Sequence, residues 1–402
     1  MRIETQRYTE RFGSVRLNEV QKVLELDSGK PEKHHTPQDV SVLKIEDEVI
    51  RNYEAKMAIV IPIKDDKLKL FEGVISGIPH DCHIIVVSNT PRKQIDRFRM
   101  EKDALQQYCN FTRRPATIIH QKDETLAKAL IESGYTELID EEGLLRNGKA
   151  EGMIVGILLA MLLKKSYIGF IDADNYFPGS VLEYVKCYAA GFSLSESPYC
   201  MTRILWRYKP KISAGMYFRK LGRVSEITNK YVNSLISNNT AFETEIIRTA
   251  NAGEHAMSLS LAKMLPYASG YAIETKELIS MFEGFGGVLP LTKSTSAKHG
   301  VEIFQIETRN PHLHEDKGIE HLQLDMLIPS LSAVYHSRLC DAITKESIIN
   351  ELIAQGAIKE KEDLLPPVEY RPPGEIDFKK FERVILENFS SYSLPVEKPS
   401  VK

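Results

Sequence analysis

Cysteine is scarce in this chain: five residues, at 82, 109, 187, 200 and 340, none in a C-x-x-C pair. An odd, scattered count excludes a disulfide-stapled secreted scaffold and reads as reduced thiols in a cytoplasmic protein. An excess of either charge is also lacking. A net charge of -3 argues against a nucleic-acid binder, which shows a strong basic excess, while leaving room for a local basic pocket that takes an anion. No apolar run is long enough for a bilayer. The longest, "MIVGILLAMLL" at 153–163, is flanked by Glu151 and Lys164; it falls well short of the roughly 20 residues needed and reads as a buried helix. The N-terminal "MRIETQRYTERFG" has no apolar segment of the secretory kind. Without secretion, the glycosylation sequons at 110 and 238 carry no meaning. There is no internal repeat, no low-complexity tract, and no phosphate loop of the G-x-x-x-x-G-K-[ST] spacing.

What is present is a large apolar complement, 43 % of 402 residues. It suffices for one large domain of about 250 to 300 residues with additions. "GSVRLNEVQKVLELDSG" alternates and predicts a hairpin, followed by a polar loop "KPEKHHTPQD". From Met57 the pattern becomes regular. Strands are predicted at 57–65, 83–90, 116–121 and 166–174. Helices are predicted at 67–78, at 91–109 opened by Pro91, at 124–134 closed by glycine, and around 150–164. Strands buried on both faces and alternating with helices predict a Rossmann-like, mostly parallel sheet covered on both sides. Right-handed crossovers then put Asp65, Ser88, Asn89, Asp172 and Asp174 on one edge, where such sheets bind ligands. Further on, strands are predicted at 200–208 and 301–310, helices at 225–237, 254–265 and largely over 319–355, and a proline-rich irregular tail beyond about 365.

Four clusters stand out as chemistry. "GFIDADNY" places Asp172 and Asp174 one residue apart at a strand end. Two carboxylates so close stay ionised together only beside a cation, which makes them a hard-metal ligand set. Such a triplet also begins turns, and "NYFPG" follows. "TRNPHLHEDKG" carries His312 and His314, two apart and able to point the same way. One of them would complete a metal site, unless both are solvated loop residues; the spacing does not choose. In "LGRVSEITNKYV", Gly222 and Arg223 lead into Ser225 as an N-cap, with Thr228 three residues on. A helix end, an arginine fork and hydroxyls suit a phosphate or carboxylate, though an ordinary capped surface helix has the same look. "RNGKAEGM" sets Lys149 between Gly148 and Gly152 ahead of the apolar helix.

Taken together and in order, "IVIPIKDD", "GKAEGM", "GFIDADNY", "GRVSEITN", "NAGEHAM" and "NPHLHEDKG" resemble the mannosyl-3-phosphoglycerate synthase family, over about 57–340. That family comprises retaining glycosyltransferases of the GT-A fold. The resemblance implies an α/β GT-A type fold with a C-terminal helical extension. It implies GDP-mannose as donor, 3-phosphoglycerate as acceptor, and mannosyl-3-phosphoglycerate as product, a precursor of the compatible solute mannosylglycerate. A divalent cation, Mg²⁺ or Mn²⁺, would sit on Asp172 and Asp174, with Asp174 the direct ligand and His312 or His314 beside it. Pro62, Lys64, Asp65, Ser88, Lys149 and Asp172 would meet the donor, and Gly222, Arg223, Ser225 and Thr228 the acceptor. Glu254 would orient the mannose or steady the cationic transition state, unless it merely complements a helix dipole. The implied segments are an N-terminal extension at 1–55, a nucleotide-sugar-binding half at 56–190, an acceptor-binding and metal-completing half at 191–315, and a helical C-terminal region at 316–402. A cytoplasmic homodimer is part of the expectation. Glucosyl-3-phosphoglycerate synthases, using GDP- or UDP-glucose, are the nearest alternative; a metal-dependent hydrolase or a non-catalytic sugar-nucleotide sensor are more distant ones. "IPIKDDKLKL" lacks the glycine-rich loop of a sugar nucleotidyltransferase, and Asn175-Tyr176 after the acid pair lacks the phosphatase pattern.

Overall fold

The computed structural model describes residues 1–26, 41–92, 95–175, 177–206, 223–290, 299–312 and 321–394. The polar loop at 30–39, Gly222 and His314 lie outside them. At the N-terminus the strands are β1 (Arg2–Glu4), β2 (Thr9–Phe12), β3 (Val15–Glu25) and β4 (Val42–Lys44). The regular part brings β5 (Met57–Ile63), β6 (His83–Ser88), β7 (Ala116–His120) and β8 (Tyr167–Phe170). Then follow β9 (Tyr199–Leu205), β10 (His255–Ser258), β11 (Tyr267–Ala268), β12 (Val301–Glu307), β13 (Glu369–Tyr370) and β14 (Ser393–Leu394). The helices used below are α1 (Asp47–Glu54), α2 (Leu68–Gly77), α3 (Arg97–Thr112), α4 (Glu124–Glu132), α5 (Lys149–Leu162), α6 (Pro178–Leu194), α7 (Arg223–Thr240), α8 (Leu259–Ala262) and α9 (Ile273–Phe285).

The described strands form one twelve-stranded sheet in the order β14-β7-β6-β5-β8-β10-β9-β12-β3-β1-β4, with β2 on β3, and a separate β11-β13 pair. Strands β7, β6, β5 and β8 are mutually parallel. The expected mostly parallel α/β block is therefore present, and its strands read as continuous apolar runs because both faces are covered. The sheet runs through all four of the expected segments. The stretch 13–29, expected as a hairpin, instead carries the single strand β3: its alternation continues unbroken over eleven residues, and its hairpin partner is the preceding β2. Strand β3 also pairs parallel with β12.

Three further sequence expectations are corrected. The helix expected over 254–265 is strand β10 followed by the one-turn α8. Its residues "HAMS" pair antiparallel with β8 on one side and β9 on the other, and that pairing overrides a helical spacing too short to be decisive. The helix expected to open at Pro91 begins at Arg97, because the Asp96 carboxylate accepts from the Arg99 N–H and caps it there. The proline-rich tail is not purely irregular: it holds β13, the helix Phe378–Glu387 and β14, which covers the edge of β7.

The reversed β10 matters for the site. Since β9 and β12 run parallel to each other and antiparallel to β10, they end at the same edge as β5–β8, and β10 begins there. That edge therefore gathers the residues after β5, β6, β7, β8, β9 and β12, and those just before β10. Helix α5, apolar all round beyond its first turn and buried along nearly its whole length, packs beneath it. The contact is close at Gly156: a Cβ there would lie 2.6 and 2.7 Å from the two methyls of Val60 in β5. We expect Gly156→Ala to cost about 1–3 kcal/mol in urea unfolding through overpacking; an unchanged midpoint would refute this account of how α5 seats on the sheet.

Candidate functional site

At the carboxyl end of β8 the chain leaves the sheet as Ile171-Asp172-Ala173-Asp174-Asn175, and Pro178 opens α6 as a first-turn proline. Asn175 fixes this turn. Its amide donates to the Asp172 carbonyl at 2.9 Å and to Glu254 Oε1 at 3.0 Å. Lys149, the first residue of α5, brings Nζ to 2.7 Å from Asp172 Oδ1 and 2.8 Å from Glu274 Oε1 of α9. Strand, helix and reversed strand thus converge and bring Asp172, Lys149 and Glu254 together.

Glu254 is fully buried just before β10, so it does not head a helix as one reading of the sequence had it. Burial, with the Asp172 charge beside it, pushes its carboxyl up to about 8. Among the described residues its Oε2 meets no hydrogen-bond donor. Across from it stands His312. The imidazole Nδ1 lies 4.0 Å from Glu254 Oε1 and 3.2 Å from the Tyr184 hydroxyl. Its ring stacks on Trp206 at 4.4 Å and 22°. Helix α6 holds the loop carrying this histidine. Glu183 accepts the Arg309 and Asn310 N–H groups at 2.7 and 2.9 Å, and Ser180 donates to the Pro311 carbonyl at 3.0 Å.

The expected donor residues follow β5 and β6. Pro62 lies within β5, Lys64 is exposed beyond it, and Asp65 adopts a left-handed φ of 61°, an uncommon conformation that recurs at ligand sites. The Asp65 N–H donates to the Thr90 hydroxyl at 3.1 Å, and its carboxylate pairs with Arg97. Ser88 is buried, its hydroxyl oxygen accepting from the Thr90 N–H at 3.2 Å. It shapes this turn from within.

On the acceptor side, Arg223 is the first described residue of α7. Ser225 is not an N-cap: it lies inside the first turn and is buried. Thr228 is also buried, and its hydroxyl donates back to the Val224 carbonyl at 2.9 Å, the usual outlet for a threonine within a helix.

Hard carboxylate oxygens and an imidazole suit a divalent cation in chemistry. Among the described residues, no three His, Cys, Asp or Glu side chains converge on one point. Asp174 and His312 are the described candidates, and His314 falls outside. The orphaned Glu254 oxygen marks a spot where a positive group would be welcome.

Behind the edge lies a buried charge cluster that the sequence reading missed. Arg203 of β9 donates to the carbonyls of Thr249 at 2.9 Å, Ala250 at 3.2 Å and Glu274 at 2.8 Å. It pairs with Glu277 at 3.3 Å, and Glu277 also meets His255 at 3.0 Å, all three side chains fully buried. Acidic residues at 274 and 277, one helical turn apart in α9, were the available signal, set among the further charges Lys276 and Glu283; the sequence reading assigned nothing between 266 and 300.

The comparisons with known proteins make the chain a glycosyltransferase. The family model described as "Mannosyl-3-phosphoglycerate synthase (osmo_MPGsynth)" matches residues 5–385. Mannosyl-3-phosphoglycerate synthase of Pyrococcus furiosus is 46% identical over 390 residues, covering 96% of this chain and 98% of that protein. The protein of the same name from Aeropyrum pernix is 35% identical over 386 residues, covering 96% and 97%. The chain belongs to the mannosyl-3-phosphoglycerate synthase family. Among solved structures, glucosyl-3-phosphoglycerate synthase from Mycobacterium tuberculosis in complex with phosphoglyceric acid matches at a TM-score of 0.47 and 18% identity, over 73% of this chain and 85% of that one. The same enzyme with Mn²⁺, UDP-glucose and phosphoglyceric acid matches at 0.46 and 18%, over 75% and 86%. Among the described residues, no helix is long and apolar enough to cross a membrane.

Removing one member of a buried ion pair leaves the other uncompensated. We therefore expect Arg203→Met to lower unfolding free energy by about 3–5 kcal/mol. Chemical denaturation measures it; a loss under about 1 kcal/mol, the level of a surface pair, would remove Arg203 from this structural role.

Proposed function

We propose that the chain transfers mannose from GDP-mannose to the free hydroxyl of 3-phosphoglycerate, with retention at the anomeric carbon. The bond from that carbon to the β-phosphate oxygen breaks, a bond to the acceptor oxygen forms, and GDP and the hydroxyl proton depart. The observation that carries this reading is the Lys149 ammonium held at the sheet edge beside Asp172. It is a fixed positive charge where a diphosphate gains negative charge. The identity to proteins named for the mannosyl reaction favours mannose over glucose.

In this reading Asp172 meets the sugar, and Asp65 and Lys64, with Pro62 and Ser88 shaping the strand ends, line the nucleotide. Asp174, with His312 or His314, would hold a divalent cation, Mg²⁺ or Mn²⁺; when bound it supplies Lewis-acid neutralisation of the leaving diphosphate. Glu254, buried and bonded by Asn175, faces the sugar and orients it. Arg223 supplies a planar fork for the acceptor's phosphate or carboxylate. Gly222 before it, and Ser225 and Thr228 after it in α7, set that fork's approach. The five cysteines, all buried and unpaired, suit a reducing cytoplasm. The helix Ala342–Ala354, which exposes Ile343 and Ile353, would contribute to contact with a second copy in a homodimer.

One assay tests the reaction: GDP-mannose, Mg²⁺ and 3-phosphoglycerate should release GDP only when the acceptor is present. Release without acceptor would mean hydrolysis, and faster turnover of GDP- or UDP-glucose would reassign the donor. Asp174→Ala should lower kcat on the order of 10³ or more with little change in unfolding midpoint; near-wild-type turnover would remove its metal role. Arg223→Ala should raise the acceptor KM far more than the donor KM, and an unchanged acceptor KM would count against the cradle.

A further inference from the structure

Lys149 is enclosed on four sides. Asp172 and Glu274 stand at 2.7 and 2.8 Å, the Tyr271 ring centroid at 5.4 Å, and the backbone of Gly253 bounds the fourth side, leaving the side chain 10% exposed. A Cβ on Gly253 would lie 2.9 Å from Asp172 Oδ2, 3.3 Å from Lys149 Nζ and 3.4 Å from Glu274 Oε1. The chain crosses this ion triad so tightly that no larger residue fits without displacing the charges.

The two carboxylates are not equivalent. The Asp172 side chain is 32% exposed, and that of Glu274 is 3% exposed. Asp172 faces the ligand edge and can turn toward a ligand. Glu274 faces inward, and its backbone is pinned: its carbonyl accepts from Arg203 Nη2 at 2.8 Å, while Glu277, three residues on, is the ion partner of the same arginine. An ammonium paired to Asp172 alone would lose its partner when that aspartate engages a sugar, and a buried unpaired cation is costly.

We propose that Glu274 is a positioning residue of the transfer reaction, holding the Lys149 ammonium at the sheet edge when Asp172 turns to the donor. The inference rests on the donor-site reading above and deepens it. The chemistry that Glu274 serves is recognition of a nucleoside diphosphate sugar: Lys149 keeps its place facing the phosphates, and the entropy of fixing it is met before the donor arrives.

A double-mutant cycle tests this. Glu274→Gln keeps the side chain's size and removes its charge. It should lower kcat/KM for the donor about tenfold or more while shifting the 3-phosphoglycerate KM less than about twofold. Glu274→Asp should recover part of the loss. In a Lys149→Met background, where there is no ammonium to place, Glu274→Gln should change donor kcat/KM less than about twofold. Equal losses in both backgrounds, or a loss shared evenly by donor and acceptor, would overturn the proposal. The same four proteins are compared by urea unfolding, where the two substitutions should be non-additive. If the wild type released no GDP from any donor, the proposed reaction would fall, and additive unfolding midpoints would then overturn the positioning role separately.

Discussion

The Arg203 guanidinium is the interaction on which the site's geometry depends. It sits on β9 with no exposed surface, and its nitrogens are occupied by three backbone carbonyls and the Glu277 carboxylate. Those carbonyls belong to two separate stretches, 249–250 and the first turn of α9. The planar fork presents donors at fixed angles, so it sets the spacing between these stretches. Gly253 and Glu254 follow the first stretch after Asn251 and Ala252, and Glu274 lies in the second. His255 ties the same cluster to β10, taking Glu277 on one ring nitrogen and the Ala252 carbonyl on the other. Glu254 and Glu274, behind the rim, are therefore both located by buried bonds.

The sheet supplies the other half of the placement. Parallel strands alone would deliver side chains from β5, β6, β7 and β8 to one edge. Inserting β10 in the opposite sense lets the chain start a strand at that edge, so Glu254 arrives from the side opposite Asp172 instead of from a distant loop. Because β9 and β12 resume the original direction, Trp206 and His312 end beside them. Helix α6 then reads the two sides together: Ser180, Glu183 and Tyr184 lie three and one residues apart, on one helical face, and all three engage the 309–312 loop.

Much of this was legible in the sequence, and the boundary is physical. Runs such as "MAIVIPI" and "HIIVVS" identify themselves because burial on both faces leaves no polar residue to confuse the period. Asp172 was legible for the opposite reason, as charge appearing where an apolar strand stops. The resemblance over six segments joined Lys149 and Glu254 to it, and both are found there. Glu274 and Arg203 were not legible. Their significance lies in pairing across more than 70 residues of chain, and a charged residue carries no record in its own segment of so distant a partner. "HAMS" was misread because four residues are too few to distinguish periods of 2 and 3.6; pairing on both flanks decided it. Ser225 was misread because a serine that suits an N-cap also sits in a first turn when the helix begins earlier.

Why the protein keeps so much charge out of water has an energetic answer. A buried ion pair is weak evidence of stability, since well-packed apolar groups of the same volume often serve as well or better. A core selected for stability alone would have little reason to retain Lys149 between two carboxylates. The charges stand instead in a graded series from the interior outward: Arg203 and Glu277 fully buried, Glu274 nearly so, Lys149 at 10% and Asp172 at 32% exposure. Such a gradient fits a ligand that arrives charged. Its innermost groups fix position without meeting solvent, and its outermost can exchange one partner for another. With the field built in before the ligand enters, little reorganisation remains for the reaction itself, and the stability given up behind the rim becomes order at the place where charge must move.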